Sequence, residues 1–299
     1  MNTLVIDTRL MLYNRFHRNK SLLGMTADVA SLLHYKRVYV DNIIFAMDNG
    51  KSRRVKQFKE YKAHRGEAIK KKSDDYKEKL KKFNEDYNKF EQYLRNYGKV
   101  ISLPGVEADD IASILTKSTF SADGNKIYLL SSDSDWVKFV DNDSTFIINP
   151  QKNKVIKKDN LKEVYGYDPL EKLYLDCFAG VAKENVPGLF RFGPKTFMKI
   201  YEENERNFRK TLKAISSIYD GSSRLPEGFE TVEEMFYFNF ELFRPWTFED
   251  LTDEEKEILK KELKFQPYRE IERIVSDSYE LFGNIYMPSS VEIEKFYLQ

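Results

Sequence analysis

Seven carboxylate side chains lie in four short clusters within the first 135 residues, each at or near the end of an apolar run. They are Asp7, Asp48, the trio Glu107, Asp109 and Asp110, and the pair Asp133 and Asp135. Apolar runs of this kind are typical of buried parallel strands, whose carboxyl ends line the ligand crevice of an open α/β sheet. Carboxylates gathered there repel one another unless divalent cations such as Mg²⁺ or Mn²⁺ neutralise them. The pattern therefore indicates a metal site of the kind that handles phosphate.

A simpler interpretation of each cluster is a helix cap. A single Asp after a strand is most often the N-cap of the next helix. However, Glu-x-Asp-Asp and Asp-x-Asp both supply more acceptors than a cap requires. Four such clusters in one α/β region favour a polynuclear metal site over four separate caps.

Length and composition limit the class of protein. A chain of 299 residues can bury a core as one large or two modest domains, and 19 Tyr and 22 Phe indicate a globular protein. The single cysteine, Cys177, leaves no intramolecular disulfide and fits a reducing cytoplasm. No apolar stretch approaches the ~18 residues of a membrane span. We expect a cytoplasmic monomer without membrane contact.

Positive charge is concentrated in one segment. Residues 51–99 hold 17 Lys/Arg against 8 Asp/Glu, a local net charge of +9, whereas the whole chain carries +1. Lysine-rich helices often serve only as solvated surfaces. A basic segment directly after a carboxylate-bearing strand is nevertheless suited to a polyanionic substrate.

Strand and helix patterns alternate along the first 150 residues. Strands are predicted over 3–7, 42–48, 99–103, 126–132 and 145–148, and helices over 26–36, 67–97, 107–118 and 134–139. This alternation predicts an α/β fold with a mainly parallel central sheet flanked by helices. In the long helix, the heptad spacing of Tyr76, Phe83, Phe90 and Tyr97 predicts one face packed in the core.

A helix–loop–helix pattern follows at 170–205. Gly188 and Gly193 bracket its loop, and Lys195 lies in the first turn of the second helix. Backbone N–H groups at a helix start can hold a phosphate, and Lys195 adds positive charge. Gly-Pro is also an ordinary way to begin a helix, so the pattern gains meaning only beside the metal site. After Gly221 the chain is predicted to be helical, with breaks at Pro226, Pro245 and Pro267.

These motifs resemble the 5′ nuclease family, which comprises flap endonucleases and the 5′ nuclease domains of bacterial DNA polymerases. Small bacteriophage members are the most similar. The resemblance rests on LVIDTRLMLYN, FAMDNGKSRR, EYKAHRG, GVEADDIA, LSSDSDW and ENVPGLFRFGPKTF, over roughly residues 1–210. It implies a PIN-like 5′ nuclease core over 1–165 that includes a basic helical arch at 51–99. The region 166–299 would be helical and carry a helix–hairpin–helix DNA-binding element at 184–200.

The resemblance also implies two divalent cations, Mg²⁺ or Mn²⁺, and a K⁺ ion at the helix–hairpin–helix element. The first cation would be held by Asp7, Asp48, Glu107 and Asp109, with Asp110 in its outer shell. The second would be shared by Asp109, Asp133 and Asp135.

The remaining family motifs imply contacts with nucleic acid. In the arch, Arg54, Lys62 and Arg65 would orient the scissile phosphate, and Tyr61 would stack on a terminal base. In the hairpin, Arg191 stands where the family has a glycine, which either strengthens a phosphate contact or marks different backbone angles. The hairpin residues implied in DNA binding are Gly188, Arg191, Gly193, Lys195 and Thr196.

One motif departs from the family pattern. The family's Gly-Asp-x-x-Asp-Asn is Gly180 to Asn185 here, with Val181 and Glu184 replacing the two aspartates. Val181 cannot ligate a cation, and Lys183 adds a competing positive charge. Asp176 lies five residues before Val181 on a predicted helix, which turns it elsewhere. We expect Glu184 to serve as a longer ligand and the second cation site to be weakened rather than lost.

The sequence thus predicts a metal-dependent, structure-specific 5′ nuclease that cuts DNA flaps or 5′ ends during replication, and also RNA–DNA hybrids. It would act in a bacterium or a phage-infected host cell, with a single-strand binding protein or clamp as partner. One alternative is a non-catalytic or weakly active homologue that binds branched DNA, which Val181 favours and the seven carboxylates disfavour. Another is a phosphatase or ribonuclease, which would need neither the hairpin nor the basic arch.

Overall fold

A computed structural model describes residues 1–18, 20–118, 124–152 and 154–266. The predicted break at Pro267 and the end of the predicted C-terminal region, up to 299, lie outside the described residues. Across the described ranges, no helix has the length and apolar character needed to span a membrane.

A five-stranded parallel sheet forms the centre of the protein. Its strands are β1 (Asn2–Asp7), β2 (Asn42–Met47), β3 (Lys99–Ser102), β4 (Lys126–Leu130) and β5 (Thr145–Ile148). They lie in the order β3-β2-β1-β4-β5, so β1 is central. The register pairs Asp7 with Ala46, which places Asp7 and Asp48 at the same edge of the sheet. The predicted parallel sheet is therefore confirmed.

Helices follow the strands in the predicted alternation. In chain order they are α1 (Thr8–His17), α2 (Met25–Lys36), α3 (Arg54–Gln57), α4 (Ala63–Lys70), α5 (Asp74–Leu94), α6 (Ala108–Lys117), α7 (Lys158–Tyr165), α8 (Pro169–Ala179), α9 (Pro194–Glu203), α10 (Phe208–Tyr219), α11 (Val232–Phe243) and α12 (Asp253–Lys264). Short 3₁₀ turns cover Leu22–Gly24, Ser134–Phe139, Ala182–Glu184 and Phe248–Asp250.

Successive strand side chains point to two helical layers, as the period of two in a strand requires. Val5 and Ile44 face a core built with α6, α7 and α12. Leu4 and Phe45 face a second core built with α1, α2 and α5. Because both faces of the sheet are covered, its strands are mainly apolar, and the carboxylates lie at or beyond the strand ends.

The arch differs from its prediction in one respect. The predicted helix 67–97 is two helices, α4 and α5, because Ser73 starts a new one by accepting a hydrogen bond from the backbone N–H of Tyr76 at 3.3 Å. Phe83 and Phe90 are buried in the core beside the sheet, as their heptad spacing predicts. No residue of α4 is buried, so the basic helix projects into solvent. Helix α1 was not predicted, because its apolar residues form a continuous run at 10–13 and do not recur at helical spacing.

The C-terminal helices form a third core and then return to the sheet. Helices α8 to α11 pack together with the segment between α8 and α9, which we call the hairpin (residues 180–193). Beyond α11, Trp246 and Leu259 join the core of the sheet. The predicted boundary between 165 and 166 falls between α7 and α8 and stays a prediction, since α12 packs on the α/β core.

The burial of α5 makes a stability prediction. Phe83→Ala should lower the free energy of unfolding by about 3–5 kcal/mol, because it empties an enclosed site between α5 and α1, beside Tyr13 and Phe16. Lys81→Ala, at an exposed position of the same helix, should change it by less than about 0.5 kcal/mol. Urea denaturation monitored by circular dichroism measures both. A small loss for Phe83→Ala would mean that α5 is not packed on α1.

Candidate metal centre and nucleic-acid interface

Asp7 and Asp48 meet at the carboxyl edge of the sheet. Asp7 is the N-cap of α1, where its Oδ1 accepts a hydrogen bond from the backbone N–H of Leu10 at 3.0 Å. Its Oδ2 accepts one from Ser131 Oγ at 3.0 Å. Asp48 Oδ1 accepts one from the backbone N–H of Ala108 at 2.8 Å. Asp7 therefore does cap a helix, but the cap uses only one oxygen of its carboxylate, which lies at the same edge of the sheet as the carboxylate of Asp48.

Asp109 completes what we call the aspartate trio, with Asp7 and Asp48. Its Oδ1 accepts a hydrogen bond from Trp136 Nε1 at 2.6 Å. Among the described residues, neither Asp7 nor Asp109 has an ion pair, and the guanidinium of Arg9 lies 3.9 Å from Asp48. The trio is thus held by hydrogen bonds that leave most of its negative charge uncompensated.

The electrostatics of the trio reflect this lack of cations. Burial raises the pKa of Asp7 to about 7, with further contributions from the charges of Asp48 and Asp133. Burial and the charge of Glu107 also raise the pKa of Asp48. Burial and the surrounding carboxylates hold the pKa of Asp109 well above its usual range. Groups of this kind bind a divalent cation in exchange for protons.

The donor set of the trio fits Mg²⁺ or Mn²⁺, which prefer carboxylate oxygens. Within the described part of the chain, no three Asp, Glu, His or Cys side chains already converge as a ligand set. The carboxylate oxygens must therefore turn toward a cation as it binds.

Arg54 organises the carboxylates at the start of α6. Its Nη1 and Nη2 donate to the two oxygens of Asp110 at 2.8 and 2.6 Å, and Nη1 also reaches Glu107 at 2.9 Å. Its Nε donates to the backbone carbonyl of Leu242 at 2.7 Å. The guanidinium is buried, so Arg54 positions Glu107 and Asp110 here. This differs from the predicted contact of Arg54 with a phosphate and of Asp110 with the outer shell of a cation.

The base of the arch comprises Tyr61, Lys62 and Arg65. The ammonium of Lys62 lies between two carboxylates, in contact with Glu107 and 3.2 Å from Glu184. Arg65 Nη2 is 2.8 Å from Glu184. Burial opposes the charged form of Glu107, but Lys62 and Arg54 outweigh it and lower the pKa of Glu107. Glu184, predicted as a cation ligand, is thus engaged with the cations of the arch.

The predicted stacking of Tyr61 on a terminal base does not agree with its placement. Its side chain is 6% exposed and packs in the third core. Its hydroxyl donates a hydrogen bond to Glu107 at 3.3 Å. A buried ring has no face to offer to a base, so Tyr61 instead helps to orient Glu107.

The second carboxylate group contains its own cations. Lys183 Nζ is 2.8 Å from Asp135 and 3.0 Å from Asp133. Lys172 Nζ is 3.3 Å from Asp135 and 2.6 Å from Asp176. We call Asp133, Asp135 and Asp176 with Lys138, Lys172 and Lys183 the lysine–aspartate cluster. Burial opposes the charged form of Asp135, but these three lysines lower its pKa below the usual range.

Asp176 was expected to face elsewhere, and this is wrong. It lines the same cavity as Asp109, Asp135, Val181 and Glu184. The expectation assumed that one helix continued to Val181, whereas α8 ends at Ala179 and the backbone turns at Gly180, where φ is +66°. Helical spacing therefore does not relate the directions of the side chains at 176 and 181.

The hairpin brings the predicted DNA-contacting residues to the start of α9. Gly188 lies so close to α8 that a Cβ atom would be 2.0 Å from the carbonyl carbon of Ala179. Gly193 precedes α9, and Lys195 is exposed in its first turn, next to the partly exposed Thr196. Arg191 has a φ of +56°, the left-handed conformation that glycine favours. Arg191 therefore keeps glycine-like backbone geometry and adds a positive charge.

Sequence reasoning missed two residues of the site, Lys138 and Lys172. Lys172 is four residues before Asp176 on α8, the ordinary spacing of a helical ion pair, which gives no sign of a contact with Asp135. Only the packing of α8 against the turn Ser134–Phe139 brings Lys172 and Lys138 to the carboxylates.

A parallel sheet with buried carboxylates at its carboxyl edge, a cationic arch and a helix–hairpin–helix element defines a nuclease of the metal-dependent α/β class. More particularly, the family of the 5′-3′ exonuclease, N-terminal resolvase-like domain, matches residues 2–166. The chain belongs to this 5′ nuclease family, as its motifs indicated.

Individual relatives agree with this assignment. The 5′-3′ exonuclease of Buchnera aphidicola subsp. Schizaphis graminum is 26% identical over 230 residues, which are 72% of this chain and 75% of that protein. DNA polymerase I of Lactococcus lactis subsp. cremoris is 27% identical over 203 residues, 64% of this chain and 22% of the polymerase.

Solved structures extend the likeness in fold to nearly the whole chain. A flap endonuclease of bacteriophage T5, in a complex with DNA and metal ions, has a TM-score of 0.67 at 18% identity and covers 94% of this chain and 98% of that one. The T5 5′-exonuclease with bound zinc has a TM-score of 0.66 at 19% identity, covering 94% and 99%. The predicted PIN-like fold is confirmed.

The raised pKa of Asp7 makes a prediction about pH and cations. In the metal-free protein the folded state holds a proton that the unfolded state releases near pH 3.9, so stability should fall as the pH rises from about 4 to 7. A bound cation replaces that proton. The gain in thermal midpoint from MgCl₂ over EDTA should therefore grow from about pH 5.5 to 8.

Differential scanning calorimetry at fixed ionic strength measures this gain. Asp7→Asn keeps the helix cap but removes one of the titrating charges, so its gain should be smaller and should rise less steeply with pH than that of the wild type. A wild-type gain that is the same at every pH would contradict cation binding at the trio.

Proposed function

We propose that this protein is a metal-dependent, structure-specific 5′ nuclease that hydrolyses phosphodiester bonds at DNA flaps and 5′ ends during replication. The observation that carries the proposal is the aspartate trio beside the cationic base of the arch. Asp7 is buried, Asp48 and Asp109 are partly buried, and no described lysine forms an ion pair with any of the three. Membership of the 5′ nuclease family makes the chain a phosphodiester hydrolase. RNA–DNA hybrids are further substrates in this proposal.

The trio would hold Mg²⁺ or Mn²⁺, with Glu107 beside it. When bound, the cation supplies Lewis acidity toward phosphate and activates water. Lys62 and Arg65 would bind the scissile phosphate, since both place cationic groups at the base of the arch, beside Glu107 and Glu184. Before DNA arrives, Glu107 and Glu184 hold these cations in position, so little reorganisation is needed when a phosphate takes their place.

The hairpin would hold the duplex part of the substrate. Lys195 and Thr196 present the first turn of α9, and Arg191 is exposed at the adjacent loop. Contacts of this type go to phosphates, so recognition would depend on the shape of the DNA and its free 5′ end rather than on base sequence. A K⁺ ion at the hairpin and a single-strand binding protein or clamp as partner belong to the same proposal, as does a monomer acting in the cytoplasm.

A second candidate function is binding of branched DNA without cleavage. The observation that favours it is the lysine–aspartate cluster, where Lys172 and Lys183 contact the carboxylates expected to hold a second cation. The intact aspartate trio favours the nuclease.

Cleavage of a 5′-labelled flap duplex, titrated with Mg²⁺ and with Mn²⁺, separates these candidates. We expect cutting near the junction, and Asp109→Asn should reduce the rate at least about 100-fold while leaving flap binding unchanged. Asp143→Asn, at an exposed aspartate before β5, is the matched control and should cut at the wild-type rate. Tight flap binding without cutting at any cation concentration would instead establish the branched-DNA binder.

Arg191 allows a test of the hairpin. Arg191→Gly should weaken duplex binding several-fold and reduce the slope of log affinity against log salt by about one, because one phosphate contact is lost. Arg191→Lys keeps the charge and should retain the slope. Fluorescence anisotropy over a range of KCl concentrations measures both. If Arg191→Gly binds like the wild type, Arg191 serves only the backbone of the loop.

A further inference from the structure

The lysine–aspartate cluster is balanced in charge, which sets it apart from the aspartate trio. Three carboxylates face three ammonium groups at 2.5 to 3.4 Å. Lys138 is buried and 3.4 Å from Asp176, and Lys183 bridges Asp133 and Asp135. The trio, in contrast, has Arg9 at 3.9 Å as its nearest ion pair among the described residues. One carboxylate group therefore needs an added cation, and the other already contains its own.

Lys183 lies where a second cation would have to lie. Its Nζ is within 3.0 Å of oxygens on both Asp133 and Asp135, so it occupies the point that joins these two carboxylates. A divalent cation at that point would meet the ammonium at close range, where like charges repel. Lys172, 13% exposed, contacts the other oxygen of Asp135, so each oxygen of that carboxylate has an ammonium partner.

The other potential ligands near this cluster are engaged or unsuitable. Val181 lines the cavity with an apolar side chain. Glu184 points its carboxylate at Lys62 and Arg65. The residues at this position thus do not fit a second divalent cation.

We propose that the ammonium groups of Lys172 and Lys183 take the place of a second divalent cation, so that the protein binds a single one at the aspartate trio. The inference rests on the proposed function only for the trio as a cation site. Lys172 is a positioning residue fixed by Asp176 on the same helix. Lys183, 45% exposed, presents its charge to solvent beside Asp133 and Asp135, where it can meet a phosphate of the DNA.

The experiment counts the Mn²⁺ ions bound by the full chain, without DNA, by isothermal titration calorimetry and by the electron paramagnetic resonance signal of free Mn²⁺. The wild type should bind one. The double variant Lys172→Met, Lys183→Met removes the two ammonium groups that contact Asp133 and Asp135, so it should bind two. Lys260→Met, at an exposed lysine of α12, is the matched control and should bind one. Asp48→Asn should abolish the single site of the wild type.

Each outcome decides between the possibilities. Two ions in the wild type, or one in the double variant, would overturn the inference and leave the nuclease proposal intact. One ion in the wild type and two in the double variant support it, even if flap cleavage fails and the nuclease proposal falls. No bound ion in the wild type would overturn both. If the double variant does not fold, as judged by circular dichroism, Lys183→Met alone replaces it, since that side chain is half exposed.

Discussion

The constraint on which the site depends is the compensation of carboxylates buried at the carboxyl edge of the sheet. Parallel strands covered on both faces bring these side chains together away from water, where their mutual repulsion is strongest. The protein answers in two ways. Hydrogen bonds from Leu10, Ser131 and Ala108 hold Asp7 and Asp48 without neutralising them. Elsewhere, arginine and lysine side chains neutralise the carboxylates directly. Carboxylates held only by hydrogen bonds still require a bound cation to neutralise them. Carboxylates paired with arginine or lysine do not.

Charge compensation also connects the parts of the molecule. Arg54 comes from the start of the arch, grips Asp110 at the start of α6 and donates to the carbonyl of Leu242 at the end of α11. Lys62 connects the arch to both Glu107 and Glu184, and its backbone N–H donates to the carbonyl of Glu184 at 2.8 Å. Breaking one of these buried pairs would expose a lone charge to the interior, which costs more than the pair contributes. The same contacts that order the site therefore also hold the arch and the hairpin in position against the sheet.

The sequence predicted what depends on local pattern. Apolar runs located the strands, and the aspartates beyond them located the aspartate trio, because the topology of a parallel sheet leaves one edge for such residues. The errors concern where individual side chains point in the folded protein. Tyr61 has a polar tip and a basic neighbourhood, yet its ring completes the third core. The direction of the Asp176 side chain was predicted from its helical spacing to Val181, but α8 ends at Ala179, between the two residues. Lys138 carries no local signal, since its partner Asp176 lies on another element. The helical pair of Lys172 with Asp176 is local, but it does not reveal the contact of Lys172 with Asp135.

The turn Ala182–Glu184 links the two altered features of the site. In a 3₁₀ turn, successive side chains are about 120° apart, so neighbours face different surroundings. Lys183 accordingly reaches Asp133 and Asp135, whereas Glu184 reaches Lys62 and Arg65. Asn185 ends the turn in the left-handed conformation, with φ at +59°, and its side chain donates to the carbonyl of Glu60 at 2.9 Å. These contacts hold the turn against the arch and fix the directions of the Lys183 and Glu184 side chains. One backbone geometry thus places the ammonium group of Lys183 against the carboxylates and the carboxylate of Glu184 against the basic side chains of the arch.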